Sequence, residues 1–306
     1  MAFAAFGGSA PANQGDSAKK SNKAIVWALL APGLIYLGLF FFTPLISLIA
    51  TSLEAPDASG AIGAYQYAFN VENYTYVVGT YLPQIGRSFY YATVATIFAL
   101  LISFPLAYFI GVRLRSNPMV QRLLVTLVIA PFFISFLLRT IAWKQIFSDG
   151  SWIMSTLHST GILASDQFFL GTDAAVIFGL TYNFIPFMTL PLYTTLERFD
   201  IRLLEAGSDL YASPASIFRR ITLPISMPGI ISGTLLTFIP IAGDYVNASR
   251  DFLGSSKTSM IGTMVEADFL QNWDYPSASA LSVLLMAVIV VLVSVYVRKA
   301  GTEDLL

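Results

Sequence analysis

The chain has 306 residues, of which 56% are hydrophobic and only 11% charged, and its mean hydropathy is +0.68. Soluble domains carry about 25% charged residues, so a soluble globule is excluded. The absence of cysteine excludes disulfides, thiolate metal sites and cysteine nucleophiles.

Six apolar runs approach the ~20 residues that a membrane-crossing helix needs. They fall at about 24–50, 88–111, 123–138, 174–196, 225–241 and 279–297. Strand-type alternation is absent, so the sequence predicts an all-α polytopic membrane protein rather than a barrel. Residues 1–23 are rich in Gly, Ala, Ser, Asn and Lys and predict a disordered tail. The first apolar run is too long for a signal peptide and reads as an uncleaved span. Residues 51–86 carry Tyr65, Tyr67, Tyr74, Tyr76 and Tyr81, an interfacial aromatic belt. With the N-terminus inside, twelve Lys and Arg fall inside and five outside, as the positive-inside rule requires. Both termini are then cytoplasmic. Eleven acids face outward, which suits a cationic solute or an acidic surface without special function.

The second span contains Pro105, where a kink is expected. At the end of the third span, Arg139 can snorkel to the headgroups, or pair with Asp173 or Asp244 and hold an outer gate. The segment 147–172 predicts a short surface helix at Trp152, Ile153 and Leu157. His158, the single histidine, has no companions at metal-ligand spacing. The fourth span holds two prolines, Pro186 and Pro191, tolerable where a helix lines a cavity. Its Tyr182, Phe184 and Phe187 suit either an ammonium cage or plain packing. Near the outer end of the fifth span, Asp244 is the acid best placed to meet a cationic solute.

Between the fourth and fifth spans lies a polar stretch, 197–224. Six charges sit between Glu197 and Asp209. Asp200 is a good N-cap, and Leu203, Ala206, Gly207 and Leu210 fall at i, i+3, i+4 and i+7, one face of a short helix. Ser213-Pro214 restarts a helix, with Ile217, Phe218 and Ile221 as its stripe. The stretch predicts two short amphipathic helices that dock a partner.

Glu205-Ala206-Gly207, three residues, Tyr211, nine residues and Ile221-Thr222-Leu223-Pro224 resemble the EAA loop of ABC importer permeases. That family has Ala at the third position and Gly at the position of Tyr211. Glycine there tolerates positive φ and Tyr does so less readily, which leaves the turn geometry open. Further resemblance to spermidine/putrescine permease subunits lies in Pro131-Phe132…Arg139-Thr140…Trp143, in Pro186-Phe187…Leu190-Pro191-Leu192-Tyr193 and in Phe238-Ile239-Pro240…Gly243-Asp244. It covers about 25–300 and implies a type I permease domain, 24–299, in a bacterial inner membrane, followed by a tail at 300–306.

The resemblance implies a heteromeric importer: a second permease subunit, two ATP-binding subunits and an extracytoplasmic solute-binding protein. The ATPase-coupling residues it points to are Leu203, Glu205, Ala206, Gly207, Asp209, Leu210, Tyr211 and Pro214. A substrate path would involve Asp244, Tyr182, Phe184, Arg139 and Trp143. ATP and Mg²⁺ would bind the partner ATPase, since Gly254-Ser255-Ser256-Lys257-Thr258 lacks the glycine spacing of a phosphate loop. No cofactor, metal or nucleic-acid partner is expected for this chain. A polyamine is the expected solute. Ferric iron, thiamine or an aminophosphonate are alternatives within the class, and an intramembrane enzyme or an ATP-independent channel are alternatives outside it.

Overall fold

A computed structural model of the protein describes residues 23–161, 164 and 167–300; the expected tails at 1–23 and 300–306 lie outside the described residues except Lys23 and Ala300, which are the first residue of α1 and the last of α12. The chain divides into two compact units, 1–47 and 48–306. The first contains α1 (Lys23–Leu37), a π-helical turn (Gly38–Phe42) and the start of α2 (Thr43–Thr51). Its sequence is apolar on every face, the pattern of a helix in lipid rather than on a core.

In the second unit a small hairpin pairs β1 (Glu54–Pro56) antiparallel with β2 (Tyr65–Tyr67), Ala55 opposite Gln66. Asn73 donates from Nδ2 to the carbonyls of Ser52 (2.9 Å) and Glu54 (2.8 Å), and the Tyr74 hydroxyl meets Ser52 Oγ at 2.6 Å. Thus at least one residue of the expected aromatic belt, Tyr74, helps clamp the entry to the hairpin.

Helix α3 (Glu72–Gly111) is 40 residues long, where hydropathy marked only 88–111. At 1.5 Å per residue it measures about 60 Å, twice the ~30 Å hydrocarbon thickness. It runs through Pro83 and Pro105 without interruption. The expected third span is a bent pair. α4 (Pro118–Ile129) passes through a 3₁₀ turn, Ala130–Phe133, and meets α5 (Phe136–Ile146) at 93°. Extended backbone at Ile134 makes the break (φ −103°, ψ 133°). α6 (Trp152–Ser159) is the short surface helix, with Ser151 Oγ capping Met154 N at 3.2 Å.

α7 (Asp173–Glu197) is the central helix, packed between α3 and α10. α8 (Arg202–Asp209) follows. α9 (Pro214–Ile217), a π-helical turn (Phe218–Thr222) and α10 (Leu223–Ala242) then form one run of 29 residues. The second of the two expected short helices is therefore the first turn of the fifth span. α11 (Ile261–Leu270) precedes α12 (Tyr275–Ala300). Among the described residues five helices are long and apolar enough to cross a membrane, and the bent pair makes a sixth crossing if it counts as one span.

Lipid is as apolar as leucine, so packing rather than the hydrophobic effect holds such helices together. On α10, Gly229 and Gly233 sit four apart against α7. A Cβ at Gly229 would lie 2.7 Å from Thr195 Oγ1, and one at Gly233 would lie 2.8 Å from Met188 Sδ. Only bare backbone permits this approach. Around the contact, Met188, Leu192 and Leu196 are buried with Ala99 and Ala107 of α3.

Candidate functional site

Two places in the 48–306 unit concentrate polar chemistry: the bend from α7 to α10 and the loop after α10. At the bend, α7 ends with orphan carbonyls that its own turn does not satisfy. The Arg115 guanidinium, from the turn after α3, donates to the carbonyls of Phe199 (2.7 Å), Leu196 (3.1 Å) and Glu197. A charged donor is apt here, since a helix C-terminus carries partial negative charge. Tyr193 donates to Glu197 Oε1 at 2.6 Å. The N-cap position of α8 falls on Ile201, one residue after the expected Asp200, whose Oδ1 still accepts from Arg202 N at 3.0 Å.

α8 turns two faces to different surroundings. Gly207 points inward, and a Cβ there would meet Ile221 Cδ1 at 3.1 Å and Ile217 Cγ1 at 3.2 Å. Leu204 also turns inward and packs against the Leu192–Leu196 cluster. Leu203, Glu205, Ala206, Asp209 and Leu210 point out, Leu210 being 81% exposed. The stripe read from the sequence is thus divided: Gly207 seats the helix, while Leu203, Ala206 and Leu210 form an outer apolar row.

Tyr211 settles the turn. It adopts φ +55° and is 98% exposed. Its N–H donates to the Ser208 carbonyl (2.9 Å) and Ala212 N donates to the Gly207 carbonyl (3.1 Å), the two bonds of a Schellman motif. The left-handed position that glycine usually fills is filled here by a tyrosine whose ring stands free. Ser213 Oγ then accepts from Ser216 N at 3.3 Å, with Pro214 opening the next helix.

The second place lies beyond the other end of α10. Asp244 is 6% exposed. Its Oδ1 accepts from Asn247 N (2.8 Å) and its Oδ2 from Asn247 Nδ2 (3.1 Å). Asn247 Oδ1 accepts from Asn183 Nδ2 (3.1 Å), which also donates to Thr140 Oγ1 (3.2 Å). One chain of hydrogen bonds therefore joins α5, α7 and the loop after α10. Burial pushes the Asp244 carboxyl up to about 6, against the opposing pull of the Asn247 hydrogen bonds.

Arg139 is 8% exposed, with its Cζ 5.8 Å from the Phe136 ring centroid. Its Nε and Nη1 are buried without an acceptor. Among the described residues it pairs with neither expected acid; Asp173 accepts instead from the Tyr91 hydroxyl at 2.6 Å. The aromatic residues fall into two groups. Tyr182 and Phe178 pack edge-on to Trp143, at 5.1 and 4.7 Å, whereas Phe184 packs with Phe136 and Phe187 at 6.0 and 5.5 Å. Tyr182 and Phe184 do not share one cage. Sequence reading missed Arg115, Asn183 and Asn247, none of which belongs to a periodic pattern. His158 Nε2 lies 3.1 Å from the Gln167 carbonyl, and no metal-binding group occurs among the described residues.

Comparison with known proteins gives three findings. Residues 103–300 match the family described as binding-protein-dependent transport system inner membrane component. The spermidine/putrescine transport system permease protein PotB of Haemophilus influenzae is 35% identical over 268 residues, 87% of this chain and 91% of the relative. PotB of Escherichia coli is 33% identical over 266 residues, 87% and 94% of the two chains. In fold, the chain matches a bacterial ABC transporter involved in the import of the acidic polysaccharide alginate. The TM-score is 0.71 at 17% identity, covering 91% of this chain and 95% of that one.

Proposed function

The chain belongs to the family of inner-membrane components of binding-protein-dependent transport systems, and on that premise we propose that it is a permease subunit of an ATP-driven polyamine importer. The observation that carries the solute is the 35% identity, across 87% of the chain, to a spermidine/putrescine permease. The same class of permease carrying another solute is the second reading, because a separate binding protein supplies much of the selectivity in such systems.

In this reading the bend at α8 faces the cytoplasm and docks the ATPase, which alone binds ATP and Mg²⁺. Leu203, Ala206, Leu210 and Tyr211 supply apolar contact, and Glu205 and Asp209 supply charge. Docking transmits motion only if the ATPase binds α8 differently in its two states. The path for that motion is short. Gly207 rests on Ile217 and Ile221, which belong to the 29-residue run ending beside Asp244. A push on α8 therefore moves a helix about 44 Å long at one end and the Asp244 loop at the other. A second permease subunit completes the translocation path, and a binding protein delivers solute to the opposite face.

The test is uptake of labelled spermidine and putrescine by cells expressing the whole transporter, with and without this chain. ATP-dependent uptake that is lost with the chain is expected. Unchanged uptake with the ATPase still co-purifying would send the search to other solutes. Glu205→Arg should abolish co-purification of the ATPase and leave membrane insertion intact; retained co-purification would overturn the docking role.

A further inference from the structure

Two opposite charges are buried near one hydrogen-bond network, and they do not meet. Arg139 has Nε and Nη1 fully buried without an acceptor. A buried cation in a membrane protein is costly unless a counter-charge or water reaches it. The other buried acid, Asp268, is engaged elsewhere, by Tyr81 (2.8 Å) and Asn272 (2.9 Å), and the exposed Asp173 by Tyr91. Asp244 stands on the network that ends at Thr140, the residue after Arg139; Asn247 and the backbone N–H groups of Val246 and Ala248 hold its carboxylate, and among the described residues no cation does. Asn183 Oδ1, in the middle of that network, is a second buried group without a partner. Arg139 lies in the first turn of α5, just past the 93° break, so rotation about Ile134–Ser135 carries the guanidinium with it.

We propose that Arg139 and Asp244 are exchange partners: in another state of the transport cycle the guanidinium leaves Phe136 and pairs with the Asp244 carboxylate, where it competes with the cationic solute. Arg139 is then a specificity-determining residue. A neutral or anionic solute cannot displace it from the carboxylate, and a cationic one can. The competition rests on the polyamine reading; the pairing itself does not.

The chain has no cysteine, so Arg139→Cys with Asp244→Cys in the whole reconstituted transporter gives a clean reporter. The measurement is the yield of a short bifunctional thiol cross-link, by mass spectrometry of the joined peptides, without nucleotide and with the ATPase trapped by vanadate. A change of about fivefold between the two conditions is expected, and equal yields would overturn the pairing. In the native chain, Arg139→Glu combined with Asp244→Arg should restore at least about tenfold more ATP-driven uptake than either single change. A double variant no better than the singles would overturn the pairing even if the cysteine pair failed to assemble. Spermidine should stimulate the ATPase of the whole transporter, a response that Arg139→Gln should abolish and Arg139→Lys should retain. State-dependent cross-linking with no response of the ATPase to spermidine would support the pair and count against the polyamine reading.

Discussion

The two ends of α10 solve the same problem in opposite ways. At the α8 end, polar groups are satisfied from within, by Arg115 on the α7 carbonyls, by the Asp200 carboxylate on Arg202 N, by Ser213 as a cap and by the Schellman bonds at Tyr211. Beside the charges of Glu205 and Asp209, that end leaves large apolar residues outside, Leu210 and Tyr211 above all. At the Asp244 end the polar groups themselves are buried, and Arg139 and Asn183 keep unpartnered atoms. The first end is a finished surface, internally hydrogen-bonded and apolar outside. The second is an unfinished interior that lacks a conformation. Docking surfaces need rigidity before binding, whereas a gate needs two arrangements of similar energy.

The largest test of this contrast is Arg115→Ala. It strips charged donors from three carbonyls, and a loss of about 3 kcal/mol is expected from bonds worth ~1.5–3 kcal/mol each that water partly replaces. Thermal unfolding in detergent reads it, and Arg115→Lys should recover part. A loss under about 0.5 kcal/mol, the size of an ordinary surface change, would mean that the α8 end is not internally braced.

Asp244 gives the next effect, through pH. Its carboxyl is raised to about 6 in the folded chain, so the folded state holds its proton more tightly than the unfolded state does. Stability therefore falls as pH rises between about 4 and 6, by about 3 kcal/mol in all at 1.36 kcal/mol per pKa unit. Wild type should melt at a higher temperature at pH 5 than at pH 7.5, and Asp244→Asn should flatten that dependence. A parallel profile for the two proteins would show that Asp244 is solvated.

Asn183→Leu removes the donor shared by Thr140 and Asn247, and should cost about 2 kcal/mol for the buried groups left unpaired. It should act on uptake without altering co-purification of the ATPase. Coupled loss of both would erase the distinction between the two ends. Tyr211→Gly is the smallest and has the opposite sign. Relief of a left-handed tyrosine should stabilise the chain by about 1 kcal/mol. The same change removes the exposed ring and should weaken ATPase binding, a separation that pull-down and melting measurements read independently.

Hydropathy alone located the spans, because lipid demands apolar length. It missed the first half of α3, where Gln84 and Arg87 dilute a helix that stands partly beyond hydrocarbon thickness. It also ran α4 and α5 together, since Pro131 inside an apolar run does not reveal a 93° break. Helix α8 was legible through Asp200, Ser213 and the spacing of Leu203 and Leu210. The division of its stripe was not, because Gly207 faces inward only by virtue of Ile217 and Ile221. The Asn183–Asn247 network was illegible for a simpler reason: its members lie 64 residues apart and share no period. The Gly229 and Gly233 spacing on α10 was present in the sequence as a small-residue motif and went unread.

The overlong α3 has a consequence for synthesis. Its first half is held by residues made much later: Arg87 donates to the Ser259 carbonyl, Ser88 Oγ accepts from Ile261 N and Tyr81 donates to Asp268. These pairs are separated by 172, 173 and 187 residues. At 5–20 residues per second, the ribosome takes on the order of ten to forty seconds to supply the missing halves. During that interval a nascent chain presents Arg87 and Ser88 without their acceptor and donor. Quality-control proteases and insertion chaperones thus have a defined window in which an unfinished copy can be told from a finished one.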